Sequence, residues 1–368
     1  MARVAVLHNT LDLAGGADAV CLHACEALDA VHDVTLFTLS HPPLAALNDR
    51  FGTVADVAVT TPPWGTALGR VLAGLADRVG PQLPLRSALL DRWVRGRLRA
   101  FDVAVSTANE FAPPVPSVQY VHYPQFNAPR DDAEGGRLNP LWTRLAGLSD
   151  GRLPADATVV ANSAWTADVV ADRYDRRPGV LHPPVDPVPD PRPWGERSEG
   201  VVVVGRIAPD KRTLDAIRII DAVRERGHDL HLHVVGSAPA AYRSYVERVR
   251  AAAAERDHVR FEPDAPRGRL VDLLRTHRYG LNAKPEEHFG MAVAEYVAAG
   301  MVAFAPDSGG QREVLDGDPD RLFGSVGEAV DLLARAVETG ARPTRDRDRF
   351  GSDRFAERLR GLVDGLDA

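Results

Sequence analysis

The sequence predicts an α/β protein built from two parallel-sheet domains joined by a stiff linker. Three observations carry this. Short β-branched runs alternate with longer helical patterns along the chain, the signature of βαβ units. The 368 residues suffice for two domains of ordinary size. One proline-dense stretch, "HPPVDPVPDPRPWGERSEG" from His182 to Gly200, interrupts the alternation. Proline at that density continues neither a helix nor a central strand. The expected boundaries are an N-terminal domain over 1–183, a linker over 184–199, a second domain over 200–345 and a C-terminal helix over 346–368.

In the first half the expected strands are 3–9, 32–40, 102–107, 117–123, 157–163 and 179–183, with helical stretches near 17–30 and 164–174. In the second half strands over 200–206, 230–236, 258–263, 278–283 and 301–306 alternate with helices near 211–227, 240–256, 267–276 and 289–299. Two such domains suggest a ligand cleft between them. Ligands of parallel sheets sit outside the carboxyl ends of the strands, so residues just after strands are read for function first.

Composition narrows the classes. A net charge of -7 does not favour nucleic acid as a partner, and hydrophobic content of 45% is ordinary for a globular chain. Cys21 and Cys25, four apart on an expected helix, suit neither a disulfide nor zinc and read as small apolar residues in a reducing compartment. "MARVAVLHNT" reads as a strand and loop rather than a signal peptide, and no window is apolar enough to span a membrane. A cytoplasmic chain is the expectation.

Only two of the 44 Lys and Arg residues are lysine, Lys211 and Lys284. Lysine offers a compact, rotatable point charge where arginine offers a planar fork. "VVVVGRIAPDKRT" places Gly205 and Arg206 at a strand end and Lys211 five residues past Arg206, as the next helix begins. Two cations at one strand–helix corner suit a diphosphate; an ordinary solvated basic loop is the plainer reading. "LDLAGGADAV" puts Gly15 and Gly16 after the first strand at a helix start, where backbone N–H groups can approach a phosphate or simply serve a turn. It lacks the G-x-G-x-x-G spacing of a dinucleotide fingerprint.

"YGLNAKPEEHFGMAVAEYVAAG", Tyr279 to Gly300, is the most informative stretch. Glu287 and Glu295 are separated by seven residues, which aims a loop carboxylate, a helix start and a helix carboxylate toward one place. Glu295 is surrounded in sequence by apolar residues, so it needs a partner, and a ligand hydroxyl is a candidate.

"EEHFGMAVAEYVAAGMVAFAPDSGG" resembles the E-x7-E signature of retaining glycosyltransferases of family 4, which have the GT-B fold: two Rossmann-like domains facing each other across a cleft. "YVHYP", "VVANSAWTADVV", "VLHPPVD" and "VVVVGRIAPDK" resemble that family's other blocks, in the family's order, and the likeness covers roughly residues 3 to 315. "YVHYP" and "EEHFG" are similar to mannosyltransferases that extend lipid-linked oligosaccharides on the cytoplasmic face. The resemblance implies hexose transfer, mannose from GDP-mannose foremost, onto a glycan or lipid-linked acceptor. It implies no metal and no cofactor, with a GDP- or UDP-linked sugar as substrate. Gly16, beside Gly15, would face the diphosphate or sugar. Arg206 and Lys211, after Gly205, would neutralise the leaving diphosphate. Glu287, with the backbone of Phe289 and Gly290 ahead of Met291, would hold the sugar's hydroxyls. Glu295 would bind the ribose. His122 of "YVHYP", on its own an ordinary strand-end histidine, would sit at the reacting sugar. Lys284 matches no position with a fixed family role and stands as a phosphate or sugar contact, or as a charge tempering Glu286 and Glu287. The base is expected near residues 261–265. A sugar-nucleotide epimerase and a non-catalytic partner subunit of the same fold are the alternatives.

Two signals read as weak. "DPD" at Asp318 to Asp320 is a turn rather than a metal motif. His231 and His233 of "HLH" share one strand face with no third ligand in view, which favours core packing. One region departs from the overall charge: Trp64 to Ala100 holds seven Arg against two Asp. Leu89, Leu90, Trp93, Val94, Leu98 and Phe101 fall on roughly one helical face there. That is the pattern of a basic amphipathic helix at an anionic membrane, or of a packed helix with a solvated Arg face.

Overall fold

The computed structural model describes every residue except 14, 41–42, 80–81, 127–138, 146–152, 175, 240–241 and 367–368. The chain forms two compact units, Met1–Pro184 with Ser352–Ala368, and Val185–Gly351. From Val185 onward the proline-dense stretch therefore belongs to the second unit rather than to a separate linker.

In the first unit β1 (Arg3–Leu7), β2 (Asp33–Phe37), β3 (Ala58–Thr60), β4 (Val103–Ser106), β5 (Ser117–Val121), β6 (Ala157–Ala161) and β7 (Gly179–Val180) form a parallel sheet ordered β3-β2-β1-β4-β5-β6-β7. The central strands β4 and β5 are buried along their whole length, as strands of a parallel sheet covered on both faces are. The helices are α1 (Gly16–Asp29), α2 (Leu44–Phe51), α3 (Gly65–Val79), α4 (Leu83–Val94), α5 (Asn139–Leu145) and α6 (Ala164–Tyr174). Val4 and Val6 pack with Val20, Leu22 and Leu28 of α1, while Ala5 and Leu7 pack with Leu90, Val94 and Leu98.

That second cluster decides where the apolar face of this region goes. Helix α4 ends at Val94, and Leu98 opens a separate 3-10 turn, Leu98–Ala100. Leu90, Val94 and Leu98 are fully buried, and Leu89, Trp93 and Phe101 pack against them. The apolar face is core; Arg92, Arg95, Arg97 and Arg99 form its exposed side.

In the second unit β8 (Ser198–Val204), β9 (His231–Gly236), β10 (Val259–Pro263), β11 (His277–Leu281), β12 (Val302–Pro306) and β13 (Leu322–Phe323) form a parallel sheet ordered β10-β9-β8-β11-β12-β13. Around it run α7 (Thr213–Glu225), α8 (Arg243–Ala254), α9 (Arg267–Thr276), α10 (Met291–Ala298), α11 (Gln311–Val314) and α12 (Val326–Glu338). The last helix, α13 (Ser352–Asp364), returns to the first unit. Its Phe355, Leu359 and Val363, spaced by four, are buried in the cluster built on α1, each worth about 1.5–3 kcal/mol of apolar burial.

Among the described residues no helix is long and apolar enough to cross a membrane. Strands β3 and β13 were not expected. They are edge strands of three and two residues, too short to register as a periodic run.

Candidate functional site

Strands β8 and β11 are neighbours in the sheet, so the loops that follow them lie side by side although far apart in sequence. After β8 come Gly205 and Arg206, then a 3-10 turn over Pro209–Lys211. Arg212 is left-handed at φ 50° and sets Lys211 apart from α7, which starts at Thr213. The expected helix start at Lys211 is thus a separate turn, because Pro209 and the kink at Arg212 break the helical path.

The two loops meet through charge. Lys211 Nζ donates to Glu287 Oε1. Lys284 Nζ lies 3.8 Å from Glu287 Oε2 and 3.4 Å from Asp210 Oδ2, and Arg206 Nη2 lies 3.4 Å from Asp210 Oδ2. Burial pushes the Glu287 carboxyl up, but the charges of Lys211 and Lys284 outweigh it and hold it below the usual range. Asp210 is held down against burial by Arg206, Lys284 and Lys211. Arg206 also lies over the Tyr242 ring, 5.4 Å from its centroid. Three cations against two carboxylates leave this network with net positive charge, a field suited to an anion. Lys284 tempers Glu287 and Asp210 rather than Glu286, whose side chain is exposed.

Backbone contacts lock the carboxylate loop. Glu286 N donates to Ser308 Oγ at 2.9 Å, and Gly310 N donates to Glu287 O at 2.7 Å. Gly309 has φ 71°, and a Cβ there would stand 2.4 Å from Glu287 O, so only glycine lets the two strand-end loops close on each other. Gln311 is fully buried. Its Nε2 donates to Lys284 O at 3.0 Å and its Oε1 accepts from Asn282 at 2.7 Å. Gly290, left-handed at φ 100°, precedes Met291, the first residue of α10. The Phe289 ring is buried edge-on to Phe350 at 5.2 Å, so Phe289 offers a ligand only its backbone.

Other expected residues stand differently. Gly205 N donates to Val235 O at 3.0 Å and is already used. Glu295 has a protein partner: Arg267 Nη1 on α9 donates to its Oε1 at 3.2 Å, which corrects the apolar surround read from its sequence neighbours. In the 261–265 segment Asp264 N donates to Gly236 O at 2.8 Å, tying it to the end of β9. The aspartates of "DPD" face arginines, Asp318 with Arg345 at 2.8 Å and Asp320 with Arg335 at 3.3 Å. His231 and His233 do acquire a third histidine, His277, which corrects the expectation that none was near.

In the first unit Gly15 N donates to Asp18 Oδ2 at 3.1 Å, and Gly16 opens α1. Asp18 Oδ1 meets His8 Nε2 at 2.9 Å, and His8 Nδ1 meets Thr107 Oγ1 at 3.0 Å. Burial works against a charge on His8, yet Cys21 and Asp18 outweigh it and raise its pKa. His122 Nε2 faces Thr107 O at 3.1 Å, so it carries the ring proton and donates it. Burial first, then the nearby His8, lowers His122 to about 4. His122 is a neutral hydrogen-bonding ring near pH 7. Nearby, buried Glu110 accepts from Gln125 N at 2.9 Å and from Tyr174 Oη, and burial pushes its carboxyl up.

Sequence reading missed His8, Asp18, Glu110, Asp210 and Gln311. His8 and Asp210 follow the strand ends of β1 and β8, a signal that would have found them; Gln311 becomes visible only once β11 and β12 are paired.

Residues 14–188 match the model of Glycosyltransferase Family 4, and residues 189–352 match that of Glycosyl transferases group 1. The chain belongs to the family 4 and group 1 glycosyltransferases. The whole glycosyltransferase superposes on the Anabaena protein HepE in complex with UDP and glucose with a TM-score of 0.70, covering 100% of both chains at 15% identity. Sucrose-phosphate synthase from Thermosynechococcus elongatus superposes with a TM-score of 0.67, 100% and 96% of the two chains and 15% identity. The fold is GT-B, as the motif resemblance implied. Among curated relatives, a Neurospora crassa protein named GDP-Man:Man(3)GlcNAc(2)-PP-Dol alpha-1,2-mannosyltransferase is 25% identical over 66% of this chain and 55% of its own length. An Acidothermus cellulolyticus D-inositol 3-phosphate glycosyltransferase is 30% identical over 55% of this chain and 52% of its own. The glycosyltransferase spans about half the length of these two relatives.

Proposed function

We propose that this glycosyltransferase moves a hexose, mannose from GDP-mannose, onto a glycan or lipid-linked acceptor, with retention at the anomeric carbon and without a metal. The observation that carries the reading is the network of Lys211, Glu287, Lys284, Asp210 and Arg206 at the carboxyl ends of β8 and β11. When the bond from the sugar to the diphosphate breaks, negative charge develops on the leaving oxygen while the ring becomes oxocarbenium-like. Cations already fixed where that charge appears are the largest expected catalytic term. Arg206, Lys211 and Lys284 supply the positive charge that a metal provides elsewhere, which supports a metal-free reaction.

Glu287, kept ionised by its two lysines, accepts from the sugar's hydroxyls beside the backbone of Phe289 and Gly290. Glu295, oriented by Arg267, binds the ribose. Gly15, Gly16 and Gly205 allow close approach of backbone to the donor, and His122 serves the reacting sugar as a neutral hydrogen-bonding ring. The Neurospora relative, a GDP-Man:Man(3)GlcNAc(2)-PP-Dol alpha-1,2-mannosyltransferase by name, supports GDP-mannose and a lipid-linked acceptor. On this reading the enzyme works at the cytoplasmic face. Exposed Trp64 and Val71 with Arg92, Arg95, Arg97 and Arg99 support a peripheral contact with anionic lipid; failure to sediment with anionic vesicles removes that contact.

A thermal-shift series with GDP-, UDP- and ADP-sugars tests the donor, because binding raises apparent stability by mass action. A shift with GDP-mannose supports the reading; no shift with any nucleotide sugar overturns it. Conversion of the donor with no acceptor present would instead mark an epimerase. The anomeric proton signal of the product tests retention, and activity after chelator treatment tests metal independence.

A further inference from the structure

We propose that His231, His233 and His277 form a binding site for a borderline transition-metal ion of the Zn2+ class, at the amino-end edge of the six-stranded sheet. His231 and His277 are the first residues of β9 and β11, at the opposite end of the strands from Lys211 and Glu287. The site is separate from the donor network and independent of the function proposed for it.

Strand β8 lies between β9 and β11, with Gly200 in register with His231. A Cβ on Gly200 would stand 2.3 Å from His231 Nε2 and 2.7 Å from His277 Cδ2. The missing side chain on the middle strand is therefore what lets two imidazoles from the outer strands meet above it. Their Nε2 atoms are 3.1 Å apart. The ligand nitrogens of all three rings lie within 4.8 Å of one another. Closing that to the spacing of about 3.4 Å implied by metal–nitrogen bonds of about 2.1 Å takes roughly 1 Å of ring movement.

The second observation is the support behind the rings. His277 Nδ1 faces Leu273 O at 2.9 Å; a carbonyl only accepts, so Nδ1 holds the proton and Nε2 keeps its lone pair. His233 Nδ1 faces Glu262 Oε1 at 2.6 Å, with the same result. Arg269 holds Glu262 through Nε at 2.6 Å and Nη2 at 3.0 Å. Carboxylate or carbonyl acceptors behind ligating imidazoles are the usual means of fixing tautomer and ring orientation at metal sites. Arg224 pairs with Asp229 and Arg269 with Glu262 and Asp272, which offsets their repulsion of a cation, while Arg260 donates to the Asp257 carbonyl at 2.6 Å. An all-imidazole donor set selects Zn2+, Co2+, Ni2+ or Cu2+ over Mg2+ and Ca2+, which prefer oxygen.

The test uses the full chain without an affinity tag, stripped with chelator and titrated with Zn2+, and with Co2+ to read the visible spectrum of a four-coordinate ion. One equivalent of Zn2+ is expected to bind at micromolar concentration. His277→Gln should weaken it at least about tenfold, and Glu262→Gln, which leaves the ligands in place, by about tenfold through loss of support. Glu287→Gln should bind metal like the unaltered chain. No stoichiometric binding by the unaltered chain overturns the proposal. So does equal affinity in a natively folded His277→Gln variant, which would assign the metal to scattered surface histidines.

Discussion

Lys211 and Glu287, 76 residues apart in sequence, are joined by a hydrogen bond from Nζ to Oε1. Both sit in loops that leave neighbouring strands, and both are more than three-quarters buried, with side-chain exposures of 24% and 15%. Breaking such a pair by removing one partner leaves an uncompensated charge, which costs far more than a surface ion pair.

Lys211→Ala is expected to lower kcat/KM at least about 100-fold, the size of effect seen when one fixed charge-stabilising group is removed. Glu287→Gln should be similarly severe. Steady-state kinetics with a GDP-sugar donor, alongside circular dichroism to confirm folding, checks both. Activity within threefold of the parent in either variant would contradict the assignment.

Lys284 contacts both Glu287 and Asp210 and so couples the two loops, while the hydrogen bond to Glu287 is made by Lys211. Lys284→Ala should raise the donor KM or lower kcat by at least several-fold, less than Lys211→Ala. Unchanged kinetics would reduce Lys284 to a structural charge.

Gly309→Ala places a Cβ against the carbonyl of Glu287 at a backbone angle that L-residues rarely adopt. A cost of roughly 1–3 kcal/mol is expected from the strained conformation alone, with donor binding lost because the Glu287 loop shifts. Urea denaturation and donor thermal shift read the two effects separately.

His122 gives a pH dependence with a definite sign. Its folded-state pKa is lowered from 6.5 to about 4, so below pH 6.5 the unfolded chain takes up a proton that the folded chain refuses. Its contribution is fully present above pH 6.5 and is lost as pH falls from there toward 4. His8, with its pKa raised in the folded chain, works the other way in the upper part of that window, where only the unfolded chain still takes up the His8 proton, and it does so in parent and variant alike. Denaturation midpoints at pH 7 and pH 5 should therefore differ less in His122→Asn than in the parent chain. An equal difference would mean that His122 is charged in the folded state.

The elements longer than four residues in both sheets were legible, because buried parallel strands are continuous apolar runs bounded by turns. Edge strands β3 and β13 were not, since two or three residues carry no period. Asp210 escaped notice as a turn aspartate, and Glu295 was read from its sequence neighbours when its partner, Arg267, comes from α9. The apolar face of α4 was equally open to a membrane or to a core; burial of Leu90, Val94 and Leu98 decided for the core.

By itself the sequence determined the two α/β halves, the family resemblance and the strand-end positions of Arg206, Lys211, Lys284 and Glu287, because hydrophobic periodicity and loop motifs are local properties. Tertiary structure decided which charges meet. Strand order brings β8 beside β11 and so unites Lys211 with Glu287, and it brings three histidines together over Gly200. Such pairings depend on which strands become neighbours, and nothing within a few residues of either partner specifies that.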